Sequence, residues 1–332
     1  MNLIIVLIIG LLAANLFVLI GKKIKFQPVV SLILCGLFLD IPHIKAAFMG
    51  YDSKIIFTLG DIALLCLMFL AGLESSWTVM YKERKDAVFI AVFAALTPFL
   101  LGFVVFKLIG FSLIVSLIVG ICMSITSEAT KARVLLDLKK LRTRVGSAMM
   151  GAGIIDDIIG LSLFILVTYL LKKVYVKEDL FILGAILIFF VGIWVQKSIG
   201  RKNIVIKNLE KLLLILVVPF FFISVGLHVD FGSFILNPLI LIFIIAAAFV
   251  GKLSGALLTH SFTKLRWSQL YLIGWAMNSR GAVEMALALI AFRSNLIPHE
   301  IYSSLIIMAL VTTLVFPFMM TKMIKKDHKI MN

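Results

Sequence analysis

The chain has 332 residues, 62% of them hydrophobic and only 15% charged, with a mean hydropathy of +1.15. Soluble domains sit near half apolar and a quarter charged, so this composition excludes one and predicts an all-α polytopic membrane protein. The net charge of +15 does not point to nucleic acid, because the basic residues fall in short loops between continuous apolar runs. Continuous runs also exclude an alternating outer-membrane barrel. Cys35, Cys66 and Cys122 lie in apolar runs and offer no disulfide framework. The histidines are scattered without ligand spacing.

In chain order the apolar segments are 2–21, 28–41, 55–74, 87–108, 111–131, 145–171, 180–197, 209–229, 234–260, 267–292 and 301–323. A span takes roughly 20 residues, so the pattern predicts about 11 transmembrane helices within a single membrane transporter domain, 1–332. The first segment has no basic residue before it and is followed by GKKIK, which reads as a retained anchor and not a cleaved leader. Lys and Arg gather on one side of the alternation: Lys22, Lys23, Lys25, Lys82, Arg84, Lys85, Lys131, Arg133, Lys139, Lys140, Arg142 and Arg144, then Lys197–Lys211, Lys264, Arg266 and Lys322–Lys329. The other side holds far fewer. By the positive-inside rule the amino terminus is expected outside and the carboxyl terminus in the cytoplasm. Trp77 and Trp267 fall at predicted helix ends, where an interfacial belt forms. Pro98, Pro219 and Pro317 fall inside predicted helices and suggest kinks. Glu74 reads as a helix-end charge.

The sixth segment carries adjacent carboxylates, Asp156 and Asp157, in GAGIIDDIIGLSLFILVTYLL. A charge at the centre of a membrane helix costs at least about 2.5–3.5 kcal/mol. The pair must therefore face a cation, a proton, a buried base or water. Asp156 lies 12 residues after Arg144, Lys252 lies 12 before Lys264, and Arg280 lies 14 after Arg266. At about 1.5 Å per residue these depths are about 18–21 Å, near the middle of a hydrocarbon core about 30 Å thick. Equal depth lets Asp156 pair with Lys252. The alternatives are a structural carboxylate pair and a lysine snorkelling to the interface.

Two segments look interrupted. The fifth ends in SITSEATKA, with Ser124, Thr126, Ser127, Glu128 and Thr130. The tenth carries MNSRGAVEMA, with Asn278, Ser279, Arg280 and Gly281 in mid-span. Polar residues that compete for backbone hydrogen bonds, with glycine, predict unwound stretches, which membranes tolerate where they line a cavity. Unwinding exposes half-helix ends of roughly half a unit charge: Glu128 suits the positive ends and Arg280 the negative ones. Glu284 is one turn after Arg280 and can pair with it. Thr126 and Ser127 can ligate a hard cation or satisfy unwound backbone. Segments four to six and nine to eleven read as inverted repeats, with two crossing broken helices at the site.

These stretches resemble the cation:proton antiporters, specifically the second branch, which includes bacterial sodium/proton and potassium/proton exchangers. The matching residues are FLAGLE (69–74), TSEATKARVLLDLKKLRTRVGSAMMGAGIIDDIIGL (126–161), PFFFISVGLHVD (219–230), GKLSGALL (251–258) and NSRGAVEMALA (278–288). The resemblance implies a core bundle at approximately 87–171 and 234–323 that slides against dimerisation or scaffold helices at approximately 2–74 and 180–229. It implies that Asp156 and Asp157 hold the metal cation, with Asp157 the main carrier of cation and proton. It implies that Lys252 pairs with the first Asp and that Arg280 is the basic residue of the second crossover. It further implies electrogenic exchange of two protons per cation, a homodimer in the cell membrane, no cofactor, and no enzymatic activity.

The chain departs from that pattern twice. Only 180–197 fills an interval where members usually have about two more helices, which bears on the dimer interface. Glu128 stands where members usually carry a small or neutral residue. No nucleotide-binding domain follows the last segment, so gating by bound nucleotide is not expected. A sodium-coupled solute symporter and a non-transporting sensor or channel on this scaffold are the rival readings. Sodium-driven uptake of an organic solute or single-channel current distinguishes them.

Overall fold

The computed structural model describes residues 3–24, 26–44, 54–74, 84–141, 143–171, 176–199, 203–230, 232, 237–327 and 329–331. The expectation for Trp77 lies outside them. Among the described residues the regular structure is entirely helical. Among those residues seven spans are long and apolar enough to cross a membrane, and shorter apolar helices lie at Pro28–Leu39, Leu113–Ser124 and Leu187–Ser198. Leu12, Leu16, Leu100, Leu187, Leu239 and Ile242 are exposed. Helices that close their own backbone hydrogen bonds while exposing apolar side chains suit lipid, not water.

The chain divides into two compact units. The first, residues 1–75 and 176–229, holds α1 (Leu3–Lys23), α2 (Pro28–Leu39), α3 (Lys54–Glu74), α8 (Val176–Ser198), α9 (Ile204–Leu216) and α10 (Val218–Leu227). Its helices pack through glycines. A Cβ on Gly72 of α3 would lie 3.0 Å from Gly192 Cα of α8, and one on Gly36 of α2 would lie 2.9 Å from Gly226 Cα of α10. In lipid, where burial of apolar surface gives no drive, such small residues let backbones approach and maximise dispersion contact. Pro219 is not in a helix interior. The 209–229 run breaks at Val217, and Pro219 sits in the first turn of α10, where its missing N–H is harmless.

The second unit, residues 76–175 and 230–332, holds α4 (Arg84–Leu108), α5 (Leu113–Ser124), α6 (Glu128–Asp137), α7 (Arg144–Leu171), α11 (Pro238–Leu258), α12 (Trp267–Ala276), α13 (Ala282–Arg293) and α14 (His299–Lys326). Pro98 and Pro317 do lie inside α4 and α14. Ala91, Ala94, Ala152, Ile273, Met277 and Phe316 share one buried apolar cluster. The carboxyl-terminal tail closes one end of it. Val145 N donates to Met331 O at 3.3 Å, and Gln269 Nε2 donates to Ile330 O at 3.1 Å.

The two interrupted segments are broken helices within this unit. α5 and α6 have 12 and 10 residues, and α12 and α13 have 10 and 12. That reversal of lengths fits an inverted pair. Residues 125–127 separate the first two halves and 277–281 the second two. Ser127 caps the restart of α6 by accepting from Thr130 N at 3.3 Å, a favoured N-cap contact.

Candidate functional site

The site lies in the second unit, where the two breaks cross. Ser127 N donates to Ser279 O at 2.9 Å, and Ser279 Oγ donates to Ser127 O at 3.0 Å. One bond is backbone to backbone and the other comes from a side-chain hydroxyl, so each break satisfies part of the other's backbone. Gly281 is required by proximity: a Cβ there would lie 2.5 Å from Ser127 Cβ. Thr130 Oγ1 donates to Arg280 O at 3.4 Å, and Arg280 N donates to Thr313 Oγ1 of α14 at 3.2 Å.

Two buried cations serve the unwound carbonyls. Arg280 is fully buried. Its Nη1 donates to Cys122 O at 3.2 Å, Met123 O at 3.0 Å and Ile125 O at 2.7 Å. These are the carbonyls that α5 leaves unpaired at its carboxyl end, the negative end of its dipole. Glu284, in the first turn of α13, lies 3.4 Å from Arg280 Nη1. Lys252, projecting from α11, donates to Ser124 O and to Thr126 Oγ1 at 2.8 Å. Its Nζ is 3.2 Å from Asp156 Oδ2.

Asp156 and Lys252 are both wholly buried. Thr126 Oγ1 also donates to Asp156 Oδ2, so threonine, lysine and aspartate form one triangle. Asp156 Oδ1 and Asn278 Oδ1 are buried acceptors with no hydrogen-bond partner among the described residues. Such oxygens are rare in folded proteins and call for an explanation. Asp157, the next residue along α7, is 7% exposed. Glu128 is the first residue of α6, at the positive end of that half-helix.

The crossing therefore brings together Thr126, Ser127, Asn278, Ser279 and Arg280 from the breaks, with Asp156 and Lys252 from flanking helices. Glu284 is joined to Arg280. Among the described residues no three acidic, histidine or cysteine side chains form a ready metal cage. Thr126, Asp156, Asp157 and Asn278 carry oxygens of the kind that a hard cation takes as ligands.

Lys131 is a correction. The positive-inside reading placed it in a cytoplasmic loop, yet it is fully buried on α6. Its Nζ donates to Met149 O of α7 at 3.1 Å and lies 3.6 Å from Met277 Sδ. The available signal was its position three residues after Glu128, on the same helix face.

Residues 4–195 and 174–326 match the family described as sodium/hydrogen exchanger, transmembrane. A Na(+)/H(+) antiporter of Enterococcus hirae is 26% identical over 368 residues, covering 93% of this chain and 94% of that protein. The Na(+)/H(+)-K(+) antiporter GerN of Bacillus cereus is 24% identical, covering 83% and 86%. Among solved structures, the sodium proton antiporter MjNhaP1 from Methanocaldococcus jannaschii superposes with a TM-score of 0.65 at 16% identity, covering 96% of this chain and 95% of that one. That last likeness speaks to the fold alone. With the family match running through both broken helices and the carboxylate pair, the chain belongs to the transmembrane sodium/hydrogen exchanger family and is a membrane transporter, not an enzyme.

Proposed function

We propose that the chain is an antiporter that exchanges cytoplasmic sodium or potassium for external protons by alternating access, with Asp156 and Asp157 as its ion site. Cation and proton compete for the carboxylates; Thr126 and Ser127 supply hydroxyl oxygens. Lys252 is the resident partner of Asp156. One observation carries the reading. A fully buried carboxylate is held by a lysine at 3.2 Å, beside a helix crossing, with its other oxygen unpartnered. A stable core has no use for that arrangement, since a buried ion pair is at best weakly stabilising. A carrier needs it, because a charge in lipid must trade one positive partner for another.

In the cycle we propose, external protons load the carboxylates in the outward-facing state and displace the cation. Inside, a cation binds deprotonated Asp157 and the protons leave. Bare carboxylates cannot cross an apolar barrier, so only loaded forms change face, which couples the fluxes. With two protons per cation, one net charge moves inward, worth about 2.3 kcal/mol per 100 mV. The names of the Enterococcus and Bacillus relatives support cation–proton antiport. The tail contacts at the starts of α7 and α12 support an orientation with Arg144, Arg266 and the carboxyl terminus together in the cytoplasm and the amino terminus outside. The first unit would serve as the scaffold through which a homodimer forms in the cell membrane.

The test is exchange in membrane vesicles that hold an acid-inside pH gradient reported by a quenched dye. Addition of sodium, lithium and potassium in turn is expected to dequench the dye with at least one of them. Dequenching by none of the three, with protein verified in the membrane, overturns the proposal.

A further inference from the structure

We infer that the pocket where the ends of α4, α11 and α14 meet binds a phospholipid with a primary-amine headgroup, and that Glu300 accepts from its ammonium. The inference rests on the chain being a membrane protein. It does not depend on the ion site, which lies at the helix crossing.

The pocket has a volume of about 540 Å³, within the range of about 300–1,000 Å³ usual for small-molecule sites. Ile109, Phe111, Leu239, Ile240 and Phe243 form its apolar wall. Gly110, also in the lining, has φ +104°, and a Cβ there would meet nothing within 4 Å. The loop after α4 therefore leaves the pocket open. Leu239 and Phe243 are exposed, so the wall continues onto the surface that meets acyl chains. Two polar side chains share the lining, Asn237 and Glu300. Asn237 Nδ2 donates to Glu300 Oε2 at 3.0 Å. Among the described residues that is the only hydrogen bond of the Glu300 side chain, and no lysine or arginine pairs with it. A carboxylate has roughly four acceptor positions, so most are left for a ligand. Asn237 is the N-cap of α11, yet its side chain caps no N–H of that helix. Its side-chain oxygen is then a second acceptor next to the carboxylate.

Position and charge together select the ligand. The lining comes from the end of one membrane helix and the starts of two others, so the pocket lies where hydrocarbon gives way to headgroups. In the proposed orientation this is the outer face, which holds few lysines and arginines to compete for Glu300. The carboxylate attracts a cation and repels a headgroup that carries negative charge alone. A primary ammonium offers three N–H donors and a quaternary one offers none, so the two adjacent acceptors favour the primary amine. The lipid phosphate also has partners at this level. No side chain caps the start of α11, and such free N–H groups suit a phosphate. Lys107, in the last turn of α4, is exposed. Acyl chains then lie along Leu239 and Phe243.

The experiment uses the full chain, purified in detergent and mixed with equal amounts of phosphatidylethanolamine and phosphatidylcholine of identical acyl chains. Phosphatidylglycerol is tested in a separate mixture with phosphatidylcholine. Bound lipid is counted by native mass spectrometry for wild type, Glu300→Gln and Asn237→Leu. Wild type is expected to retain phosphatidylethanolamine about tenfold over phosphatidylcholine, the size of one charge-assisted hydrogen bond. Glu300→Gln is expected to bring that ratio within about threefold of unity. Asn237→Leu, which removes the second acceptor, is expected to lower the ratio in the same direction and stands in if Glu300→Gln does not fold. Phosphatidylglycerol is expected to bind wild type no better than phosphatidylcholine. Equal retention of the two zwitterionic lipids by wild type, a ratio unchanged in the folded variants, or preferred binding of phosphatidylglycerol overturns the inference. None of these results touches antiport at Asp156 and Asp157, which the dequenching assay tests separately.

Discussion

Replacing Lys252 by Met removes a charge with little change in volume, so the loss reads the ion pair directly. Lys252 Nζ stands 3.2 Å from Asp156 Oδ2 with both side chains at 0% exposure. At that distance and an effective dielectric constant near 20, the attraction is about 5 kcal/mol. The ammonium also gives hydrogen bonds to Ser124 O and Thr126 Oγ1, both of which lose their donor. Orphaning one member of a buried pair typically costs about 3–5 kcal/mol, and a loss in that range is expected here. Asp156→Asn with Lys252→Met leaves no orphaned charge. The double variant should therefore recover at least half of the loss, since replacing both members of a buried pair is often near neutral. The assay is unfolding of the detergent-solubilised protein for wild type, both single variants and the double, read as a cycle that isolates the pair. A single variant within about 1 kcal/mol of wild type, or a double variant no better than the worse single, refutes the reasoning.

Arg280→Met strips the donor from the carbonyls of Cys122, Met123 and Ile125 and leaves Glu284 alone; a loss of about 3 kcal/mol or more is expected in the same unfolding assay, at about 1.5–3 kcal/mol per charged hydrogen bond. Gly281→Ala puts a methyl 2.5 Å from Ser127 Cβ, so the two breaks must part; overpacking of this kind costs about 1–3 kcal/mol and should slow exchange as well, measured as initial dequenching rate. Ser127→Ala removes the cap on α6 and should cost about 1 kcal/mol, visible as a lowered unfolding midpoint.

The sequence made some of this architecture legible for plain reasons. Hydroxyls, Asn278 and Gly281 interrupt otherwise apolar runs, and the helices break at those residues. Spacing from basic loop residues put Asp156 and Lys252 at one depth, and the two side chains meet. What was not legible depends on contacts between distant parts of the chain. Lys131 sits next to a stretch rich in Lys and Arg, and the rule that assigns such lysines to loops has no means of knowing that Met277, 146 residues away, lies against it. The break at Val217 was hidden because the residues on both sides are equally apolar. Pro219 marked it, but a proline inside an apolar run signals a kink and a helix start alike. The carbonyls that Arg280 caps belong to another broken helix, which no local pattern around Arg280 reveals.

The central claim is that a carboxylate in the middle of the membrane carries the exchanged ion. The most direct measurement compares wild type with Asp157→Asn in proteoliposomes under an imposed pH gradient, with cation flux and proton flux followed together. The account predicts coupled fluxes in wild type and neither flux in Asp157→Asn, although the variant folds and inserts. Coupled exchange at the wild-type rate in Asp157→Asn would contradict it.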